Sequence, residues 1–189
     1  VRRSSYTAAR MNLSSDAFAG FRRGAIADVP VLWRSDDRFK TLRVIVEARR
    51  PLDSTAAARS LLPSLLLHGT AQDPDRPSLA RRMESLYGAV VVPGTHKTGE
   101  AHALRLTMDL VAGRVLPDRP PQLADGLGFL SDYAARPRLD GAGFPEAVFQ
   151  RERRHAVAAA RAVIDDRTSW AAQRALVEAC VGEPMAILE

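Results

Sequence analysis

Residues 101 to 111, AHALRLTMDLV, alternate without a break: His102, Leu104, Leu106, Met108 and Leu110 fall on one parity, and Arg105, Thr107 and Asp109 on the other. Successive side chains of a strand point to opposite faces, so this pattern fits a strand with one face in a core and the other in water. Such a strand belongs to an antiparallel sheet covered on one side only. TLRVIVEA at 41 to 48 repeats the alternation, with Leu42, Val44, Val46 and Ala48 opposite Thr41, Arg43, Ile45 and Glu47. AVVV at 89 to 92 runs into Pro93-Gly94, where it is expected to end and to pair with 101–111 as a hairpin. VPVLWRS near residue 31 carries a weaker strand signal.

Helical segments lie between and after these strands. STAAARSLLPSLLLH reads as one helix, capped by Asp53 or Ser54 and stopped at Gly69. LARRMESLY reads as a second, capped by Ser78 and stopped at Gly88, with Leu79, Met83, Leu86 and Tyr87 on one face. QLADGLGFLSDYAA places Leu123, Leu127, Leu130 and Ala134 inward, PEAVFQRERRHAVAAARAVI starts on Pro145, and TSWAAQRALVEAC ends before Gly182. The order is strand, strand, helix, helix, hairpin, then three helices. That is an α+β arrangement rather than the regular alternation of a parallel α/β fold.

A chain of 189 residues with 46% hydrophobic content can bury a core. No apolar run approaches the roughly 18 residues needed to span a bilayer, and VRRSSYTAARMNLSSDAF lacks the apolar centre of a signal peptide. With the single cysteine, Cys180, this points to the reducing cytoplasm and excludes both an internal disulfide and a cysteine-based zinc cluster. The formal charge of +5 comes from arginines spread in short blocks with no interleaved aromatics. It therefore reads as a solvated face, with neither nucleic acid nor membrane as partner.

The candidate chemistry lies in RSLLPSLLLHGT. Two histidines and a glutamate on one helix converge on a zinc ion because residues three and four apart share a face. The reversed spacing H-x-x-E-H, followed by a short apolar stretch and Gly-Thr, marks the insulinase/pitrilysin family of metallopeptidases. This sequence resembles that family through FKTLRVIVEARRPLDSTAAARSLLPSLLLHGT, LARRMESLYGAVV, KTGEAHALRLTMDLV and FPEAVFQRERRHAVAAARAVIDDRTSWAAQRALVEACVGEP. Counting back from Gly69-Thr70, the resemblance puts the two histidines at Ser60 and Ser64 and the glutamate at Pro63. It puts the third ligand, a glutamate, at Glu152. A serine hydroxyl is a poor zinc ligand and proline cannot activate water, so the resemblance implies a degenerate site without metal. On its own stripe, with Val148, Ala156, Ala159 and Val163, Glu152 reads as the acidic half of an ion pair with a nearby arginine.

The resemblance implies a fold like that of the mitochondrial processing peptidase subunits, with residues 1–30 as a lead-in and 31–189 as an N-terminal peptidase-like domain of a longer, two-domain chain. It implies a non-catalytic subunit that pairs with a catalytic paralogue, or with a second copy of itself, and helps enclose a peptide or protein substrate. Zinc is expected only in the catalytic partner. The alternatives are an active zinc peptidase with a non-standard site and a basic nucleic-acid-binding module. Among the histidines, His102 reads as a core residue bonded through one nitrogen, and His68 as a helix C-terminal residue placed for stability. His155 reads as solvated, and His96 as too far from His102 to share a ligand.

Overall fold

The computed structural model describes residues 20–26 and 28–186, so the lead-in before residue 20 lies outside it. The chain forms two compact units, Val1–Phe39 and Lys40–Glu189. In the first, β1 (Arg22–Ile26) and β2 (Val29–Trp33) form an antiparallel hairpin in which Gly24 faces Val31. The weak strand signal near residue 31 is thus a real strand.

The second unit holds a three-stranded antiparallel sheet in the order β3-β5-β4. β3 (Thr41–Pro51) and β4 (Val90–Thr98) flank β5 (Ala101–Val111). The register sets Val44 and Val91 on either side of Met108, and Val46 and Pro93 on either side of Leu106. Leu106, Met108 and Leu110 are buried with Leu66, Leu79, Leu86, Val91, Phe129 and Leu130, so the core lies under the even face of β5 as the alternation requires. The odd face carries ion pairs: Arg43 donates twice to Asp109, both at 2.7 Å, and Arg105 donates to Glu47 at 2.8 and 2.9 Å. The architecture is α+β.

β4 does not stop at Pro93-Gly94 but continues to Thr98 and turns at Gly99, whose φ is 54°. Proline lacks an N–H, which an edge strand tolerates and a central strand does not. β4 has β5 on one side only, so Pro93 can stay in the strand.

The helices are α1 (Ala56–Arg59), α2 (Leu62–Leu66), α3 (Arg76–Ser85), α4 (Gln122–Ala135), α5 (Glu146–Ala162) and α6 (Arg167–Ala179). α3 begins earlier than Ser78: Asp75 is the N-cap, and its side chain accepts the Ser78 N–H at 2.8 Å while Ser78 Oγ accepts the Asp75 N–H at 3.2 Å. Ser78 is the reciprocal half of a capping box. Leu79, Met83 and Leu86 face the core as expected, whereas Tyr87 lies past the helix at positive φ, 45% exposed.

α4 uses a different face from the one its leucines suggest. Gln122, Gly126, Phe129, Leu130 and Tyr133 are buried, while Leu123, Leu127 and Ala134 are exposed. The cause is Gly126, where an added Cβ would lie 3.0 Å from Met108 Cε and 3.2 Å from a Leu110 methyl. The missing side chain lets α4 close onto β5 along the glycine stripe, and this turns Leu123 and Leu127 outward.

Leu106→Ala should cost about 2–5 kcal/mol in urea melts, and Thr107→Ala less than about 1 kcal/mol. Equal losses would contradict the two-faced strand.

Candidate functional site

The site segment starts where β3 ends. The Leu52 N–H donates to the Glu100 carbonyl at 2.8 Å, and the Asp53 side chain accepts the N–H of Thr55 at 2.9 Å and its hydroxyl at 2.6 Å. This turn releases the chain into α1. The helix predicted to run to His68 is broken: α1 ends at Arg59, α2 begins at Leu62, and Ser60 and Leu61 lie between. Pro63 has no N–H to give the Arg59 carbonyl four residues earlier, and its ring crowds that carbonyl. The backbone tightens accordingly, with the Leu61 N–H donating to the Ala58 carbonyl at 3.3 Å, three residues back. Both linking residues keep right-handed helical angles, so the axis is interrupted and not reversed.

The two serines are absorbed by this break. Ser60 Oγ donates to the Ala57 carbonyl at 2.7 Å and Ser64 Oγ to the Leu61 carbonyl at 2.9 Å. Each hydroxyl serves its own helical turn. Leu65 and Leu66 are buried and fasten α2 to the core, while Leu61 and Leu62 are half-buried and Leu67 is exposed.

Arg59, next to the first serine, ties the start of this segment to the sheet. It donates to His102 Nδ1 at 3.1 Å, to Asp53 Oδ1 at 3.1 Å and to the Pro51 carbonyl at 2.5 Å, and it also reaches Thr55 Oγ1. His102 is 2% exposed and accepts through Nδ1, the core histidine expected from its place on β5. The far end is held by Gly69-Thr70. Gly69 has φ 134°, and a Cβ there would sit 2.7 Å from the Pro74 carbonyl carbon. Thr70 Oγ1 accepts the Asp73 N–H, and the Ala71 N–H donates to the Arg136 carbonyl, binding the turn to the α4–α5 connection.

Glu152 lies on α5, 8% exposed. Its Oε1 is 2.9 Å from His68 Nε2 and 3.2 Å from Arg151 Nε, and Oε2 is 3.9 Å from His155 Nδ1. His68 follows α2, which packs against both α5 and β4. Burial pushes the Glu152 carboxyl up, but hydrogen bonds from His68 and Arg151 outweigh it and hold the group below its ordinary value. The arginine partner expected for Glu152 is present as Arg151. The closer partner, His68, carried no signal in the sequence because it lies 84 residues away. Arg76 and Arg151 also reach the His68 ring, at 3.2 Å and 3.1 Å. His155 is largely solvated, and His96 and His102 lie on opposite faces of the sheet.

Glu152 is thus brought to the C-terminal end of α2, while the Ser60 and Ser64 hydroxyls are turned back into backbone. Among the described residues no group of three or more His, Cys, Asp or Glu side chains is placed to hold a metal ion. No helix of those residues is long and apolar enough to cross a membrane.

The sequence of this chain is similar to that of a probable inactive metalloprotease. Over 152 residues the chain is 30% identical to the probable inactive metalloprotease YmfF of Bacillus subtilis (strain 168), a match that covers 80% of this chain and 36% of that protein. A crystal structure of a conserved protein from Enterococcus faecalis V583 shares the fold, with a TM-score of 0.72 and 25% identity over 79% of this chain. The chain spans 36% of each. No protein-family model matches it.

His68→Ala should cost about 1–3 kcal/mol, because it strips a buried carboxylate of its nearest donor. The double variant His68→Ala/Glu152→Ala should cost clearly less than the two single losses added together, as a double-mutant cycle in urea melts will show. Additivity within about 0.5 kcal/mol would mean that the pair is not coupled.

Proposed function

We propose that this chain is part of a non-catalytic member of the insulinase/pitrilysin family, resembling the processing-peptidase subunits, that pairs with a catalytic paralogue and helps hold a peptide substrate. The observation that carries the reading is the broken helix at Ser60 to Ser64, the segment at which the resemblance puts the zinc-binding motif. Its two hydroxyls donate to Ala57 and Leu61, and Pro63 breaks the helix between them. Catalytic zinc needs three protein ligands and an open position for water, and Ser60, Pro63, Ser64 and Glu152 supply one carboxylate that His68 and Arg151 already engage. The relative's description as an inactive metalloprotease supports the same conclusion.

A subunit without chemistry of its own can still act by shape. Positioning a substrate accounts for several kcal/mol of a barrier with no reacting group on the positioning side. The physical means is a free strand edge, where main-chain hydrogen bonds bind an extended peptide with little demand on sequence. β3 and β4 are the edges of the described sheet, and β4 suits this role better. It packs against α2, beside the degenerate motif, and its side chains include Val90, Val91 and Val92. β3 carries Arg43, Arg49 and Arg50, the kind of charge that guards an edge against pairing. The single cysteine fits work in the cytoplasm.

The test is to co-express the full-length protein with a relative that keeps H-x-x-E-H and to compare peptide hydrolysis by the relative alone and by the pair. A stable complex with raised hydrolysis is expected. A relative that is fully active alone and forms no complex refutes the reading, and a dimer of this protein alone assigns the partner's role to a second copy.

A further inference from the structure

α5 has two unlike sides. Glu152 faces into the protein, and roughly opposite it Arg153, Val157 and Arg161 recur every four residues, with Arg154 and Ala158 beside them. These five residues line a shallow surface groove. Val157 is 43% exposed at its centre. Arg153, Arg154 and Arg161 have no ion-pair partner among the described residues, and neither glutamate of α5 forms an ion pair with them. Glu146 accepts from Gln150 at 2.7 Å, and Glu152 is held by His68 and Arg151. The groove therefore presents three uncompensated guanidinium groups around an apolar floor.

We propose that this groove binds an acidic, extended protein segment, with carboxylates four residues apart on Arg153 and Arg161 and an apolar side chain midway on Val157. The spacing carries the assignment. Eight helical residues at about 1.5 Å each separate Arg153 from Arg161 by about 12 Å. In an extended chain, at about 3.3 Å per residue, side chains four positions apart lie on one face about 13 Å apart, with the intervening same-face side chain halfway. Guanidinium forks match carboxylates in geometry as well as charge. A nucleic acid fits less well, because no Phe, Tyr or Trp lines the groove to stack a base and an apolar valine occupies the centre of the charged stripe. The groove is not the β4 edge, so this inference stands or falls apart from the reading above.

The probe is a fluorescein-labelled peptide with two glutamates four residues apart and a leucine midway, titrated by anisotropy against the full-length protein at low salt. Comparators are a peptide of the same composition with adjacent glutamates, and an oligothymidylate of matching charge. The spaced peptide should bind most tightly. Arg153→Ser/Arg161→Ser should weaken it about 10-fold, and Val157→Ser should also weaken it. Arg81→Ser/Arg82→Ser, which removes the same charge from α3, should change it less than 2-fold, with unaltered circular dichroism melts confirming that each variant folds. Three outcomes overturn the proposal: no binding of the spaced peptide, equal loss in the α3 variant, or tighter binding of the oligothymidylate through Arg153 and Arg161.

Discussion

β5 is paired on both edges and buried along its even face, and the rest of the larger unit is fitted to those two conditions. Because both of its edges are satisfied, the strand can lie in the centre of the sheet without exposing backbone donors. Because one face is apolar, helices must cover it, and α4 does so closely enough that a Cβ at position 126 would lie 3.0 Å from Met108 Cε. The outward face is left to cross-strand pairs such as Arg43–Asp109 and Arg105–Glu47. Such exposed pairs add little stability, and here they are compatible with a single register. A slip of one residue would drive Arg105 and Asp109 into the core.

Those features were legible because they are local. Period-two alternation over 101–111 identified β5 and its buried face, and periodicity marked Leu79, Met83 and Leu86. The failures also have physical causes. Pro93-Gly94 read as a turn, because nothing local says whether a proline lies in an edge strand or ends one. On α4 the expected inward face holds at Leu130 but not at Leu123, Leu127 or Ala134, because the close approach to β5 is made along the face that carries Gly126. The helix through RSLLPSLLLH was expected to survive its proline, but with no N–H at Pro63 it divided instead. Leu65 and Leu66 hold the second piece in place.

Around the candidate site, the positions Ser60, Pro63, Ser64 and Glu152 could be written down from the sequence, but their partners could not. His68 and Glu152 are far apart in the chain and meet only because α2 packs on α5. Arg59 reads as an unremarkable helical arginine, yet it joins α1 to the end of β3 and to His102 on β5. In both cases a charged side chain is held at the margin of the core by partners drawn from other elements. His68 and Arg151 both hydrogen-bond Glu152, and Arg151 supplies the positive charge beside it. A buried carboxylate of this kind needs a cation, and the protein provides its own.

The central claim is that this centre is complete without zinc, and metal content measures it most directly. The protein, purified without chelators and dialysed against micromolar zinc, should carry far less than one zinc per chain by plasma emission spectrometry, and Glu152→Gln should leave that figure unchanged. One tightly bound zinc per chain, lost in Glu152→Gln, would contradict the account.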